Sequence, residues 1–92
     1  MPFEWDAAKA RSNLLKHGVD FEDAIRIFDG PTLERQDTRR NYQETRVLAL
    51  GQFEGHVMFV VYAKRGQVRR IISARGASRH ERQAYRQAIQ GS

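Results

Sequence analysis

The 92-residue sequence contains no cysteine. That excludes a disulfide framework, thiol catalysis and cysteine-ligated zinc, and it suits a reducing compartment such as the cytoplasm. No apolar run approaches the ~20 residues of a membrane-spanning helix. The opening Met1-Pro2-Phe3-Glu4-Trp5-Asp6 has neither the basic start nor the apolar core of a secretory signal, so neither export nor a membrane partner is expected. The three histidines, His17, His56 and His80, lack metal-site spacing, and the glycines form no phosphate-binding loop. No nucleophile elbow of the Gly-x-Ser-x-Gly type occurs. No metal and no cofactor are therefore expected. Acid is also scarce in the second half. Residues 55–92 carry eight basic groups and one acidic group, Glu81, whereas residues 1–54 carry eight basic and ten acidic.

What is present is arginine. Thirteen of the sixteen basic residues are Arg, and the chain has a net charge of +5. A guanidinium fork matches phosphate and carboxylate geometry, and the lopsided charge points to a polyanion-binding half. The length fits one domain over residues 1–92.

Local signals predict an α+β order: two N-terminal helices, an antiparallel sheet of three to four strands, and a C-terminal helix. Phe3–Trp5 reads as a strand end. Asp6 caps a helix running to His17 and closed by Gly18. Asp20 caps a second, with Asp23 as its capping-box partner, and Phe21, Ala24, Ile25 and Phe28 form its core stripe up to Gly30-Pro31. Residues 31–44 read as an irregular strand or loop. Arg46–Leu50, His56–Ala63 and Gln67–Ala74 form a meander, with the continuous apolar run in the middle one marking a central strand. Ser78-Arg79-His80-Glu81 is a capping box opening a helix to Gln90, with Tyr85, Ala88 and Ile89 inward.

Three sets of side chains could carry chemistry. At 100° per residue, Lys9, Asn13, Lys16 and His17 share one flank of the first helix, opposite Ala7, Ala10 and Leu14. The bland reading is a solvated face that complements the helix dipole. By a period of two, Arg69, Ile71, Ser73 and Arg75 share one strand face, with Arg70 on the other and Arg65 in the preceding hairpin. Buried guanidinium groups need partners, so Glu4, Asp6 or Glu81 could neutralise some of them. Arg79, Arg82 and Arg86 line the last helix. Trp5 could stack on a base, whereas Tyr62 among Val60, Val61 and Ala63 reads as core. Without a metal set, these residues suit acid–base cleavage of RNA by its own 2′-hydroxyl, with arginine stabilising the charge.

The run Phe3-Glu4-Trp5-Asp6, Lys9, Asn13, Lys16-His17-Gly18-Val19 and Phe21-Glu22-Asp23-Ala24 resembles the opening of the BrnT toxin family. A second block agrees: Glu44, Arg46, Gly51, Val60-Val61-Tyr62, Arg70-Ile71-Ile72-Ser73-Ala74-Arg75, Glu81-Arg82 and Tyr85. The resemblance implies a RelE-like fold and an endoribonuclease toxin of a type II toxin–antitoxin system that inhibits translation. It implies an RNA substrate and a BrnA-like antitoxin, with operator DNA reached only through that antitoxin. The family blocks place Trp5, Lys9, His17, Arg65, Arg75 and Arg79 as candidates. We assign His17 as acid or base, Lys9 as a phosphate-positioning cation or a support for the helix, and Arg65 and Arg75 as stabilisers of transition-state charge. Trp5, Asn13, Lys16, Arg69, Arg79 and Arg82 are the candidate RNA contacts. Two other functions fit the composition: an RNA- or ribosome-binding module without catalysis, which would keep the arginines but not need His17 or Lys9, and a co-repressor acting with a DNA-binding antitoxin.

Overall fold

The computed structural model describes residues 2–91. In chain order it contains β1 (Phe3–Glu4), α1 (Ala7–His17), α2 (Phe21–Ala24), a 3-10 turn (Ile25–Asp29), β2 (Leu33–Gln36), β3 (Arg46–Phe53), β4 (His56–Arg65), β5 (Val68–Gly76) and α3 (Arg79–Gln90). The α+β class and the β3–β4–β5 meander agree with expectation. The sheet itself is larger and of mixed direction. Its order is β1-β5-β4-β3-β2, with β1 parallel to β5 and every other pair antiparallel. β1 is two residues long, too short for any periodicity, and exists because Phe3 and Glu4 register against Arg69 and Arg70. β2 is likewise invisible to hydrophobic patterning, because all four of its residues are exposed at the sheet edge. The polar segment after it is organised around Asp37, which is buried. Asp37 accepts from Arg39 and from the Tyr42 hydroxyl, and these bonds hold its carboxyl well below the usual range.

The N-terminal helices begin where expected. Asp6 accepts from the backbone N–H groups of Ala8 and Lys9, and Gly18 ends α1 at φ +71°, a conformation glycine adopts without steric cost. Asp20 caps α2 by accepting from Glu22 N–H, with no reciprocal bond from Asp23. The second helix then departs from expectation: after one turn it tightens into the 3-10 geometry. With three residues per turn, the inward positions become Phe21, Ala24 and Ile27, all 0% exposed, while Ile25 and Phe28 are only partly covered. These three pack on a sheet face formed by Val47, Ala49, Val60, Tyr62, Ile71 and Ala74.

That packing needs Gly51. A Cβ built there would lie 2.6 Å from Ile27 Cβ. Gly51→Ala is therefore expected to destabilise the protein by about 1–3 kcal/mol, the usual range for overpacking a filled core. A thermal melt checks this.

The opposite sheet face carries a smaller cluster of Leu50, Val57 and Tyr85, with Phe59 and Ala77 beside it. α3 is anchored there by a complete capping box: Ser78 Oγ accepts from Glu81 N–H, and the Glu81 carboxylate accepts from Ser78 N–H. The Tyr85 hydroxyl donates to the Pro31 carbonyl at 2.8 Å. Ala88 and Ile89, expected inward, are exposed, because an open cleft beside Pro31 and Gln52 lies under the last turn.

Candidate functional site

β5 carries three of the arginines, Arg69, Arg70 and Arg75, and a bulge decides where they point. Tyr62 pairs with Ile71 but Val61 pairs with Ser73, so Ile72 is an extra residue. The period of two breaks there. Arg69 and Ile71 lie on the helix-packed face with Tyr62, while Arg70, Ser73 and Arg75 lie on the other. The expected common face for Arg69 and Arg75 does not exist, and a bulge of one residue leaves no mark in the sequence.

Most strand arginines already have partners. Arg70 Nη1 is 2.7 Å from Glu4 Oε2. Arg75 donates to both Glu81 oxygens at 2.8 and 2.9 Å and lies 4.3 Å from the Phe59 ring centre. This pairing, together with the Ser78 N–H bond, draws the Glu81 carboxyl down to about 2 from 4.5. Glu44 takes Arg46 at 3.2 Å and Arg65 at 3.7 Å, and Arg46 also covers the Tyr42 ring. Arg69 differs. It has no carboxylate ion pair among the described residues, and its guanidinium is held by the rings of Phe28, Tyr62 and Phe3 at 4.4, 5.3 and 5.8 Å. The Tyr62 hydroxyl donates to Glu34, and burial, followed by that bond, pushes its pKa up. At 2% exposure Tyr62 is a core residue, as expected.

The first-helix flank is also divided. Lys9, Lys16 and His17 are exposed, but Asn13 is buried. Its amide nitrogen donates to the carbonyls of Val19 (3.0 Å) and Ala74 (2.8 Å), and its oxygen accepts from Ala74 N–H (3.1 Å). Asn13 thus bolts α1 to β5, and its polar atoms are spent on the fold. The helix is rotated so that this amide faces the sheet, while Leu14 and Leu15 are 46% and 89% exposed. Trp5 is half-buried and meets Phe21 edge to face at 6.0 Å. Lys9, Lys16 and Arg79 form no ion pair among the described residues. Arg82 donates to the Ala77 carbonyl at 2.9 Å.

The four candidate catalytic residues do not converge. His17 lines a cleft with His56, at the start of β4. Arg65 ends the same strand nine residues later, about 30 Å away at ~3.3 Å per residue. Arg75 lies on the sheet face opposite the one α1 covers, and Lys9 sits two turns up α1 from His17. His56 itself was not among the candidates. Its position beside His17 follows from the β3–β4 hairpin meeting the end of α1, a long-range relation with no local signal. Among the described residues, no group of three His, Asp or Glu side chains could hold a metal ion.

Fold and surface together describe a small, basic α+β protein; among the described residues the cations without an ion pair include Lys9 and Lys16 on α1, Arg79 at the start of α3, and Arg69, but also Arg35, Arg40, Lys64 and Arg86 elsewhere on the surface. The family description "ribonuclease toxin, BrnT, of type II toxin-antitoxin system" matches residues 5–81, and the chain belongs to this family. It is thus a ribonuclease toxin by family, and a type II system implies an antitoxin partner. The match ends at Glu81, so Arg82 and Tyr85 lie beyond it. No curated protein is similar enough to match the chain. Among the described residues, no helix is long and apolar enough to cross a membrane.

Proposed function

We propose that residues 1–92 form one RelE-like toxin domain that acts in the cytoplasm, cleaving RNA without a metal and thereby inhibiting translation. The observation that carries this reading is the excess of cations on a BrnT-family chain: among the described residues Lys9, Lys16, Arg69 and Arg79 form no ion pair. Such cations bind phosphate, and the imidazole of His17, next to Lys16 at the end of α1, serves as acid or base. Lys9 positions the backbone from two turns away. Arg82 and Lys16 extend the contact, and Trp5 offers a ring edge at its margin. Arg65 and Arg75 act on transition-state charge only on release of the carboxylates that hold them. A BrnA-like antitoxin with an acidic segment covers the same basic face, and operator DNA is reached through that antitoxin.

The purified chain is expected to degrade purified RNA with chelator present. Cleavage that stops in chelator and returns with magnesium would overturn the metal-free reading. RNA that is bound but left intact would favour a binding module instead.

A further inference from the structure

We propose that RNA is cut in the cleft between the end of α1 and the β3–β4 hairpin, where His17 and His56 are the two proton-transfer groups and Arg82 binds the phosphate. This rests on the ribonuclease reading and gives it a place and a second imidazole.

The cleft has a volume of about 350 Å³ and its walls include His17, His56, Arg82, Met58, Gly76 and Ala77. That size falls within the ~300–1,000 Å³ range of small-ligand sites. Its charged or titratable side chains come one from each surrounding element: His17 is the last residue of α1, His56 the first of β4, and Arg82 lies in the first turns of α3. No carboxylate lines it. Four other surface clefts each have Glu34, Glu54 or Glu81 in their walls. A phosphodiester therefore meets three basic side chains here and no acidic one.

The parts are also held in place. Glu54 and Gly55 both take positive φ, +50° and +80°, in the tight turn that sets His56 at the mouth. Asn13 fixes the last turns of α1 against Ala74, two residues before Gly76. Arg82 has one Nη tied to the Ala77 carbonyl, which orients the guanidinium and leaves its other donors for an anion. The two histidines stand on separate elements and make no hydrogen bond to each other. In-line displacement puts the base at the 2′-oxygen and the acid at the 5′-oxygen on the far side of phosphorus, and imidazoles from two different walls of the cleft can take those two places.

The step balances without a co-reactant. A neutral imidazole takes the proton of the 2′-hydroxyl as the 2′-oxygen bonds to phosphorus. The bond from phosphorus to the 5′-oxygen breaks, and the second imidazole, protonated, gives its proton to that oxygen. The products are a 2′,3′-cyclic phosphate and a 5′-hydroxyl. The base ends with one more proton and the acid with one fewer, and solvent restores both. Arg82 carries the charge on the non-bridging oxygens.

The test uses the full chain acting on RNA in a translating extract, with a melt for every variant. His17→Ala and His56→Ala are each expected to lower cleavage by at least ~10²-fold, the usual effect of losing a general acid or base. Both side chains are exposed, so the melting temperature should hold. One variant should lose the acid limb of the pH–rate profile and the other the alkaline limb. Gly76→Leu should block the cleft with a similar loss, because a Cβ at Gly76 meets nothing within 4 Å and the fold can accept it. Uridine 3′-monophosphate should shift the imidazole resonances of His17 and His56 together and leave those of His80 unmoved. A folded His56→Ala variant that cleaves like the parent would overturn the proposal, as would ends lacking the cyclic phosphate. A parent chain that leaves RNA intact would overturn the ribonuclease reading, and the cleft assignment with it.

Discussion

Asn13→Leu is expected to be among the most damaging single changes in the protein, although it replaces a polar residue in a helix by a good helix former. The side chain is 7% exposed and makes three hydrogen bonds, two to Ala74 and one to Val19. Leucine can fill similar space but leaves the buried N–H and C=O of Ala74 without these partners. Each orphaned group costs about 1–3 kcal/mol, so we expect a loss of about 3 kcal/mol in total. For a chain of this size that lowers Tm by on the order of 10–20 °C. Asn13→Asp separates the contributions. Its carboxylate still accepts from Ala74 N–H but faces two carbonyl oxygens with no proton to give, so at neutral pH it should be no more stable than the leucine variant. A melt of either variant within a few degrees of the parent would show that α1 is held by its apolar contacts alone.

Arg75→Ala is expected to lower stability and activity together, with Glu81→Ala reproducing both. The Arg75 guanidinium is bidentate on Glu81 and stacked on Phe59, so its charge is already neutralised at a joint between β5 and α3. The pair is partly exposed, and solvent screening limits its worth to about 1–2 kcal/mol. Glu81→Ala should cost somewhat more, because it also removes half of the capping box, worth about 1 kcal/mol. The pair has a pH signature. A carboxyl drawn down from 4.5 to about 2 on folding contributes stability that is complete above pH 4.5 and is lost as pH falls toward 2. The stability gap between the parent and Arg75→Ala should therefore close over that window. A direct role in the transition state makes a different forecast: about 10²-fold less cleavage from Arg75→Ala at an unchanged Tm. Activity and melts measured on the same samples decide between them.

Local chemistry was legible in the chain. The caps at Asp6, Gly18, Asp20 and Ser78, the meander and the central position of β4 each rest on interactions within a few residues, or on a continuous apolar run. The partners of Arg70 and Arg75 were also foreseeable, since a guanidinium drawn partly out of water favours a carboxylate and Glu4 and Glu81 were available. The BrnT family itself could be read from the order of its blocks. Only the tertiary structure decided the rest. The rotation of α1 follows from Asn13 meeting Ala74, sixty-one residues away, and not from the helix's own pattern. The separation of Arg69 from Arg75 follows from one unpaired residue in β5. The core stripe of α2 moved to Ile27 because Gly51, on another element, leaves room for it. The joining of His17 and His56 follows from where a hairpin meets a helix end. In each case a backbone pairing or close approach between distant segments chose the outcome, and the energy that chose it exists only once both segments are in place.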